Sequence, residues 1–180
     1  DDPLSCKALY DLAQQKGKTD SEAWCALKMV ESFMLCNTVI VEQPEEGEAG
    51  EVHYQAESPD EGALVEGGKM CGYTLSARTQ KELVGSVGPP HSPATTTKYE
   101  ILATNEFDND RKRMSIVLRD LQTKKIIFFC KGADSSMLER ADPASIERSG
   151  DFTKTIDAYA VTGLRTLVYS ANEWSEKQWQ

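Results

Sequence analysis

The sequence predicts an α+β fold, in which a mainly antiparallel, twisted β-sheet is flanked by helices. Apolar and polar residues alternate over 99–107 and again over 114–119, and an apolar run follows at 126–130. Because the turn at 120–124 is so short, the strands on either side of it should pair antiparallel. Apolar residues recur at helical spacing before and after these strands, and helices of that kind pack against a sheet.

Length and composition indicate one domain with a single well-buried core. The chain has 180 residues, 39% hydrophobic content and a formal net charge of −9. We expect residues 1–180 to form one domain that is a monomer in isolation, and the acidic charge argues against nucleic-acid binding. The five cysteines are an odd number without a Cys-x-x-Cys pair, which favours a reducing compartment. Neither histidine has a partner at metal-ligand spacing, so no metal site is predicted, and no stretch is apolar enough to span a membrane.

The first fifty residues are predicted to hold one helix and one short strand between irregular segments. Residues 1–18 show no clear period and are expected to be irregular, although Leu4, Leu9 and Leu12 could form one short helical turn. Thr19 and Glu22 form a capping-box pattern, which predicts that a helix follows. A strand is predicted over 38–41, and the glutamate-rich residues 42–51 are expected to form an acidic loop.

A complete helix start follows at Ser58-Pro59-Asp60-Glu61. It has serine at the N-cap, proline at the first helical position and glutamate at the third. We expect this helix to end near Cys71 and a short strand to follow at 73–77. Residues 84–97 are rich in proline, glycine and threonine, which predicts a surface loop or the tip of a hairpin.

The second half of the chain is predicted to hold the centre of the sheet and the helices that cover it. The predicted elements are, in order, strands at 99–107, 114–119 and 125–131, a helix from Asp134 to about Ala141, a loop over 143–150, a helix from Asp151 that Gly163 closes, a strand at 164–171 and the start of a helix at 174–180.

The segment Lys131-Gly132-Ala133-Asp134 is suited to holding a phosphate group. A buried strand ends at the lysine, the chain turns on the glycine, and a helix starts at the aspartate. The lysine is thereby delivered to a point where a helix presents unpaired N–H groups. Taken alone, the motif is a weak signal.

Two further side chains have both a functional and a structural interpretation. Phe107, at a strand end before a basic loop, could stack on a purine, whereas most strand aromatics are buried in a core. Glu61 could accept a hydrogen bond from the exocyclic amine of adenine, or it could cap its own helix at Ser58.

Positive charge is concentrated in a few places of an otherwise acidic chain. Arg111-Lys112-Arg113, together with Lys131 and Arg165 beside strand ends, could form the local positive focus that an anion needs, although a solvated basic turn is the alternative. No serine–histidine or paired-carboxylate arrangement is apparent, so no catalytic residue is assigned.

Four ordered segments together closely resemble the nucleotide-binding domain of the P-type ATPases. They are Ser-Pro-Asp-Glu-Gly-Ala-Leu-Val at 58–65, Glu-Phe at 106–107 with Arg-Lys-Arg-Met-Ser at 111–115, Lys-Gly-Ala-Asp at 131–134 and Gly-Leu-Arg-Thr-Leu at 163–167. The forms Arg-Lys-Arg-Met-Ser at 111–115 and Lys-Gly-Ala-Asp at 131–134 point to the phospholipid-flippase class rather than to the cation pumps. The resemblance covers about residues 22–180. Asn37, Gly62 and Asn109 stand where that family usually has histidine, alanine and serine.

The resemblance implies an ATP site with named contacts. Phe107 would stack on adenine and Glu61 would contact its amino edge. Lys131 would line the pocket and reach toward the phosphates, and Arg165 would bind the phosphates or the ribose. Arg111 and Lys112 would lie at the pocket rim. Magnesium would enter with the nucleotide as Mg-ATP.

The segment Asp-Lys-Thr-Gly-Thr, on which this family is phosphorylated, does not occur in the sequence. The resemblance therefore implies a domain that binds ATP or ADP without turning ATP over. Its partners would be the phosphorylation and actuator domains of a parent flippase, on the cytoplasmic face of a membrane that only the parent crosses. The alternative is a non-catalytic nucleotide-sensing or interaction domain within a larger regulatory protein.

Overall fold

The computed structural model describes residues 6–15, 21–42, 52–89, 94–148 and 150–179. The helices within these ranges are α1 (Cys6–Ala13), α2 (Glu22–Leu35), α3 (Pro59–Met70), α4 (Asp134–Leu138), α5 (Pro143–Arg148), α6 (Phe152–Val161) and α7 (Glu176–Trp179). The strands are β1 (Ile40–Glu42), β2 (His53–Gln55), β3 (Tyr73–Arg78), β4 (Glu82–Val87), β5 (Thr95–Asp108), β6 (Arg113–Asp120), β7 (Ile126–Gly132) and β8 (Val168–Trp174). Among the described helices, none combines the length and apolarity needed to cross a membrane.

Strands β3 to β8 form one six-stranded antiparallel sheet in which spatial order equals chain order. Strands β1 and β2 form a separate antiparallel pair. The predicted α+β fold with a mainly antiparallel sheet is therefore confirmed. Each strand follows its neighbour through a short connection, except that α4, α5 and α6 lie between β7 and β8.

The main core lies between the sheet and the helices α2 and α3. Alternation along β6 places Met114, Ile116 and Leu118 in this core, as the sequence predicted. The two helices pack closely, because a Cβ added to Gly68 would lie only 3.1 Å from the Cβ of Phe33. A second, smaller cluster lies by α4 and α6; it consists of Cys130, Met137, Ile156 and Val168.

The N-terminal third differs from the prediction in four places, one of which is β2 (His53–Gln55), where no element was predicted. Residues 6–13 are helical rather than irregular, because α1 buries Ala13 and packs Leu9 and Leu12 against the main core. The N-cap of α2 is Ser21, whose Oγ accepts a hydrogen bond from the backbone N–H of Trp24 at 3.2 Å. The predicted cap Thr19 and most of the predicted acidic loop lie outside the described residues. The strand predicted over 38–41 begins two residues later, at Ile40.

The loop predicted over 84–97 is shorter than expected, and it is the connection of a hairpin. Residues 84–87 belong to β4 and residues 95–97 belong to β5, and the two strands pair antiparallel. Backbone pairing thus continues through glycine and threonine residues whose composition is typical of a loop. The alternation predicted for β5 also breaks, because the register shifts between Ile101 and Ala103.

The connections after β7 were also predicted imperfectly. Helix α4 ends at Leu138, and a new helix, α5, begins at Pro143 where a loop was predicted, since proline is well suited to a first helical position. The last strand begins at Val168 rather than Leu164. Val168 pairs with Gly132, the final residue of β7, so residues 164–167 have no strand opposite them.

Candidate functional site

Lys131 and Glu61 form a buried ion pair at the end of β7. Lys131 is only 7% exposed, and its Nζ donates a hydrogen bond to Oε1 of Glu61 at 2.8 Å. Strand β7 supplies the lysine and the first turn of α3 supplies the glutamate. A lysine this buried requires a counter-charge. The pair therefore joins two of the four sequence motifs directly.

Glu61 does not cap its own helix, so the structural interpretation of this residue is wrong. Ser58 is the N-cap residue of α3 but makes no side-chain capping bond. Instead, Oε2 of Glu61 accepts hydrogen bonds from the backbone N–H of Thr38 at 3.1 Å and from its Oγ1 at 2.8 Å. Burial alone would raise the pKa of Glu61, but the bonds from Lys131 and Thr38 outweigh it and hold that pKa below its ordinary value.

Phe107 lies near the end of β5 with 59% of its surface exposed, so its interpretation as a core residue is wrong. The turn at 109–112 follows it and leads into β6. In this turn Lys112 has a left-handed backbone (φ 52°), and its carbonyl oxygen accepts a hydrogen bond from the N–H of Ala133 at 3.0 Å. The turn after Phe107 therefore lies directly beside the residues that follow Lys131.

Arg111 is engaged within its own turn rather than extended toward open space. Its guanidinium contacts the carboxylate of Asp108 and the carbonyl oxygen of Glu106. The backbone N–H and the guanidinium of Arg111 together hold the pKa of Asp108 below its ordinary value. The carbonyl oxygen of Arg111 accepts a hydrogen bond from Oγ of Ser136 at 2.7 Å, which ties the turn to α4. Lys112, in the same turn, is exposed to solvent.

Arg165 reaches the same region from the segment between α6 and β8. Gly163 has a φ of +80°, which ends the helix, and Arg165 follows in an extended stretch. Its Nη1 lies 2.5 Å from Oδ2 of Asp60, the neighbour of Glu61 in α3. The arginine is exposed, so this pair is weakly held.

The six predicted site residues thus lie at one end of the sheet, in three groups that are linked through contacts of neighbouring residues. Glu61 contacts Lys131, and Arg165 contacts Asp60, the residue next to Glu61. The turn that follows Phe107 and carries Arg111 and Lys112 is bonded to Ala133 and Ser136, which come after Lys131. The phosphate site predicted at the N-terminus of the helix after Lys131 differs in two respects. Helix α4 has only five residues, and its N-cap is Ala133 rather than Asp134. The ammonium group of Lys131 is hydrogen-bonded to Glu61.

Three residues of this region were not singled out from the sequence. Asp60 belongs to the Ser-Pro-Asp-Glu motif, so the motif itself was a signal. Thr38 belongs to Leu35-Cys36-Asn37-Thr38-Val39, a segment that also resembles the family, but its partner Glu61 lies 23 residues away and no local pattern indicates that contact. Tyr169 pairs with Lys131 across β7 and β8, and within the described part of the chain its buried hydroxyl has no hydrogen-bond partner. Over the same residues, no group of three or more histidine, cysteine or acidic side chains is arranged to hold a metal ion.

The fold and these motifs define a class of protein that the comparison with known families identifies. Residues 26–179 match the family described as P-type ATPase, cytoplasmic domain N. The chain therefore belongs to that family, as the four motifs predicted.

The relatives that the chain matches are phospholipid-transporting ATPases. It is 38% identical over 146 residues to Phospholipid-transporting ATPase ID of Mus musculus, and the aligned region covers 81% of this chain and 11% of that protein. It is 32% identical over 163 residues to Probable phospholipid-transporting ATPase 12 of Arabidopsis thaliana, and the aligned region covers 90% of this chain and 14% of that protein. For Phospholipid-transporting ATPase DRS2 of Saccharomyces cerevisiae the identity is 37% over 145 residues, covering 81% and 10%. Each of these relatives is named as a phospholipid-transporting ATPase, and the chain spans 10–14% of their length.

Proposed function

We propose that this domain binds ATP at the end of β7, between Phe107 and the Lys131–Glu61 pair. The observation that carries the proposal is the buried Lys131–Glu61 pair at the end of β7, together with the exposed ring of Phe107 near the end of β5. The turn that follows Phe107 is bonded to Ala133, two residues after Lys131. An exposed phenylalanine offers a stacking surface for a base. The lysine offers a positive charge that is already held in place by packing.

In this proposal adenine stacks on Phe107, and its amino group donates a hydrogen bond to Glu61. Three hydrogen bonds already reach the carboxylate of Glu61, from Lys131 and Thr38, and an ionised carboxylate can accept about four. One acceptor position therefore remains for an amino group without loss of the Lys131 contact.

The phosphates extend toward Arg165 and the rim residues Lys112 and Arg111. Arg165 must exchange Asp60 for a phosphate oxygen, which is a small cost because the pair is exposed. Arg111 is the weakest of the candidates, since its guanidinium is already bound to Asp108. Magnesium accompanies the phosphates in this proposal.

The wider function follows from the family and the names of its relatives. We propose that the domain carries ATP so that an aspartate of a separate phosphorylation domain can attack the γ-phosphorus, which releases ADP and leaves an aspartyl phosphate. The actuator domain and the membrane belong to the longer protein, whose cycle would move a phospholipid between leaflets. This domain would then act at the cytoplasmic face.

Phe107→Ala tests the nucleotide site with little risk to the fold. Loss of one stacking contact of about 1–3 kcal/mol predicts ATP binding that is weaker by about 5- to 150-fold. The measurement is a titration of wild type and variant with ATP, ADP and GTP, followed by amide NMR shifts and calorimetry. Because Phe107 is exposed, thermal unfolding should change little.

Met70→Ala is the matched control, because Met70 is also a large exposed apolar residue but lies at the opposite end of α3 from Glu61. It should bind ATP as the wild type does. Unchanged ATP affinity in a folded Phe107→Ala variant would contradict the stacking role. Absence of any saturable binding by the wild type at millimolar nucleotide would favour the non-catalytic interaction domain.

A further inference from the structure

The residue that fixes the orientation of Glu61 comes from outside all four motifs. Thr38 lies in the short connection between α2 and β1, next to the core but itself exposed. Its backbone N–H and its hydroxyl both donate to the same oxygen of Glu61, Oε2, at 3.1 and 2.8 Å. The other oxygen, Oε1, receives Lys131 at 2.8 Å. Each carboxylate oxygen is therefore held from a different element.

Hydrogen bonds of the neighbouring residue Asn37 hold the connection that carries Thr38 in place. Asn37 is 1% exposed, and its Nδ2 donates to the carbonyl oxygens of Phe33 at 3.1 Å and Met34 at 3.0 Å, at the end of α2. Its Oδ1 accepts from the backbone N–H of Val39 at 3.3 Å and from Nη2 of Arg78 at 2.8 Å. Thr38 therefore lies between Asn37 and Val39, which are hydrogen-bonded to each other, and Asn37 is also bonded to the end of α2.

Arg78 provides the support that reaches from the sheet. The same Nη2 also donates to the carbonyl oxygen of Asn37 at 2.7 Å, so the guanidinium holds both the side chain and the backbone of that residue. The support runs from β3 through Arg78 and Asn37 to Thr38, and from there to Glu61. Among the described residues the buried Nε of Arg78 has no hydrogen-bond partner, whereas its Nη2 makes two bonds to Asn37, and these two bonds restrict the conformations of both residues.

We propose that Thr38 is a positioning residue that holds the Glu61 carboxylate in the orientation needed to recognise the amino group of adenine, and so sets the preference for adenine over 6-oxopurines. The inference rests on the proposed function. Its physical basis is that an ionised carboxylate only accepts hydrogen bonds. It can pair with the 6-amino group of adenine, whereas the 6-oxo group of hypoxanthine is itself an acceptor. This discrimination requires a carboxylate that cannot rotate away.

The charged and titratable groups that face Glu61 come from four elements. They are Lys131 on β7, Arg78 on β3, Tyr169 on β8, and Cys36 at the end of α2. Thr38→Val leaves all of these in place and keeps the shape of the side chain. It removes only the Oγ1 donor, while the backbone N–H of residue 38 remains.

The test compares ATP with inosine triphosphate, which carries oxygen in place of the 6-amino group. In the wild type ATP should bind more tightly. In Thr38→Val the ratio of the two dissociation constants should fall by about tenfold, as expected for one lost hydrogen bond to a charged group. Thr38→Ser restores the hydroxyl and should keep the ratio within about twofold of the wild type.

Thr79→Val is the matched control, because its hydroxyl also bonds to backbone groups but in the turn between β3 and β4. The ratio should be unchanged in that variant. A second readout is the pKa of Glu61, followed through its ¹³C carboxyl resonance, which should rise in Thr38→Val and not in Thr79→Val. This readout requires no nucleotide.

The outcomes separate this inference from the proposed function. If the wild type prefers ATP and a folded Thr38→Val keeps the same ratio and the same Glu61 pKa, the positioning role is overturned while nucleotide binding stands. A purely structural Thr38 would lower the unfolding temperature and leave the ratio unchanged, which also overturns it. If the wild type binds neither nucleotide, the inference falls together with the proposed function.

Discussion

At the scale of single residues, the burial of Lys131 decides which of two roles Glu61 has: pairing with that lysine or capping α3. Its sequence position is equally suited to capping α3 and to binding a partner. A buried Lys131 without a counter-charge would cost several kcal/mol, whereas a missing capping bond costs about 1 kcal/mol. The glutamate therefore pairs with the lysine, and Ser58 is left without a side-chain capping bond.

Glu61→Gln should lower stability in a pH-dependent way. The pKa of Glu61 is depressed in the folded state, so its contribution is full above its unfolded pKa of about 4.3 and is lost as pH falls through the folded pKa. At pH 7 we expect the variant to be less stable by about 3–5 kcal/mol, since the buried Lys131 loses its counter-charge. Urea unfolding at stepwise lower pH measures the difference.

Glu66→Gln on the same helix is the control, because Glu66 is half exposed and lies 4.0 Å from Lys69. It should change stability by less than about 1 kcal/mol at any pH. A difference between wild type and Glu61→Gln that persisted unchanged to low pH would show that the charge of Glu61 is not what stabilises the fold.

At the scale of elements, Gly132 is required by the approach of β6 to β7 rather than by a turn. It is the last residue of β7, it pairs with Arg113, and its φ is not among the positive values in the described residues. A Cβ added there would lie 2.6 Å from both the Cβ of Arg113 and the carbonyl oxygen of Lys112. The glycine next to Lys131 thus allows the turn at 109–112 to lie against the end of β7.

Gly132→Ala should therefore destabilise the domain by about 1–3 kcal/mol, the usual cost of overpacking. It should also shift the amide resonances of Lys112 and Lys131, because β6 and β7 must separate at that end. The measurement is chemical unfolding combined with ¹⁵N–¹H spectra.

Gly62→Ala is the matched substitution, with the opposite expected sign. A Cβ at Gly62 would meet only the Cβ of Ala56 at 3.5 Å, which is an ordinary contact. Because the position lies within α3, alanine should stabilise the domain by about 0.5–1 kcal/mol. Equal effects of the two substitutions would refute the explanation from strand approach.

At the scale of the whole molecule, a buried charge cluster ties the helical layer to the last strand. Lys28 of α2 is 5% exposed and pairs with Glu31 at 2.7 Å and with Glu173 of β8 at 2.5 Å. Burial alone would lower the pKa of Lys28, but the two carboxylates raise it above its ordinary value. The cluster lies on α2 and β8, two elements far apart in the chain.

Lys28→Met should destabilise the domain by about 3–5 kcal/mol, because it leaves two carboxylates without their shared partner. Lys125→Met is the control, since Lys125 pairs with the same Glu173 at 3.0 Å but is 53% exposed, and it should cost no more than about 1 kcal/mol. Both are measured by chemical unfolding at pH 7. A nearly neutral Lys28→Met would mean that the methionine packs well enough to replace the ion pairs.

Local pattern predicted element types well and their limits poorly. The alternation in β6 and the apolar run of β7 were located to within one residue, because both strands lie inside the sheet and show their period fully. The predicted start of β8 was four residues early, since the length of β7 decides where pairing begins. Helix α1 was anticipated only as one short helical turn, because the core that stabilises the full helix is known only from the tertiary structure.

The sequence by itself determined the family, the α+β class and the residue types at the candidate site, because these depend on contiguous motifs and on short-range period. Only the tertiary structure decided which partners those residues have. Glu61 meets Lys131 across 70 positions of chain, and Arg165 meets Asp60 across 105. Such pairings follow from how elements pack and from the cost of burying an unpaired charge, and no local pattern records either of them.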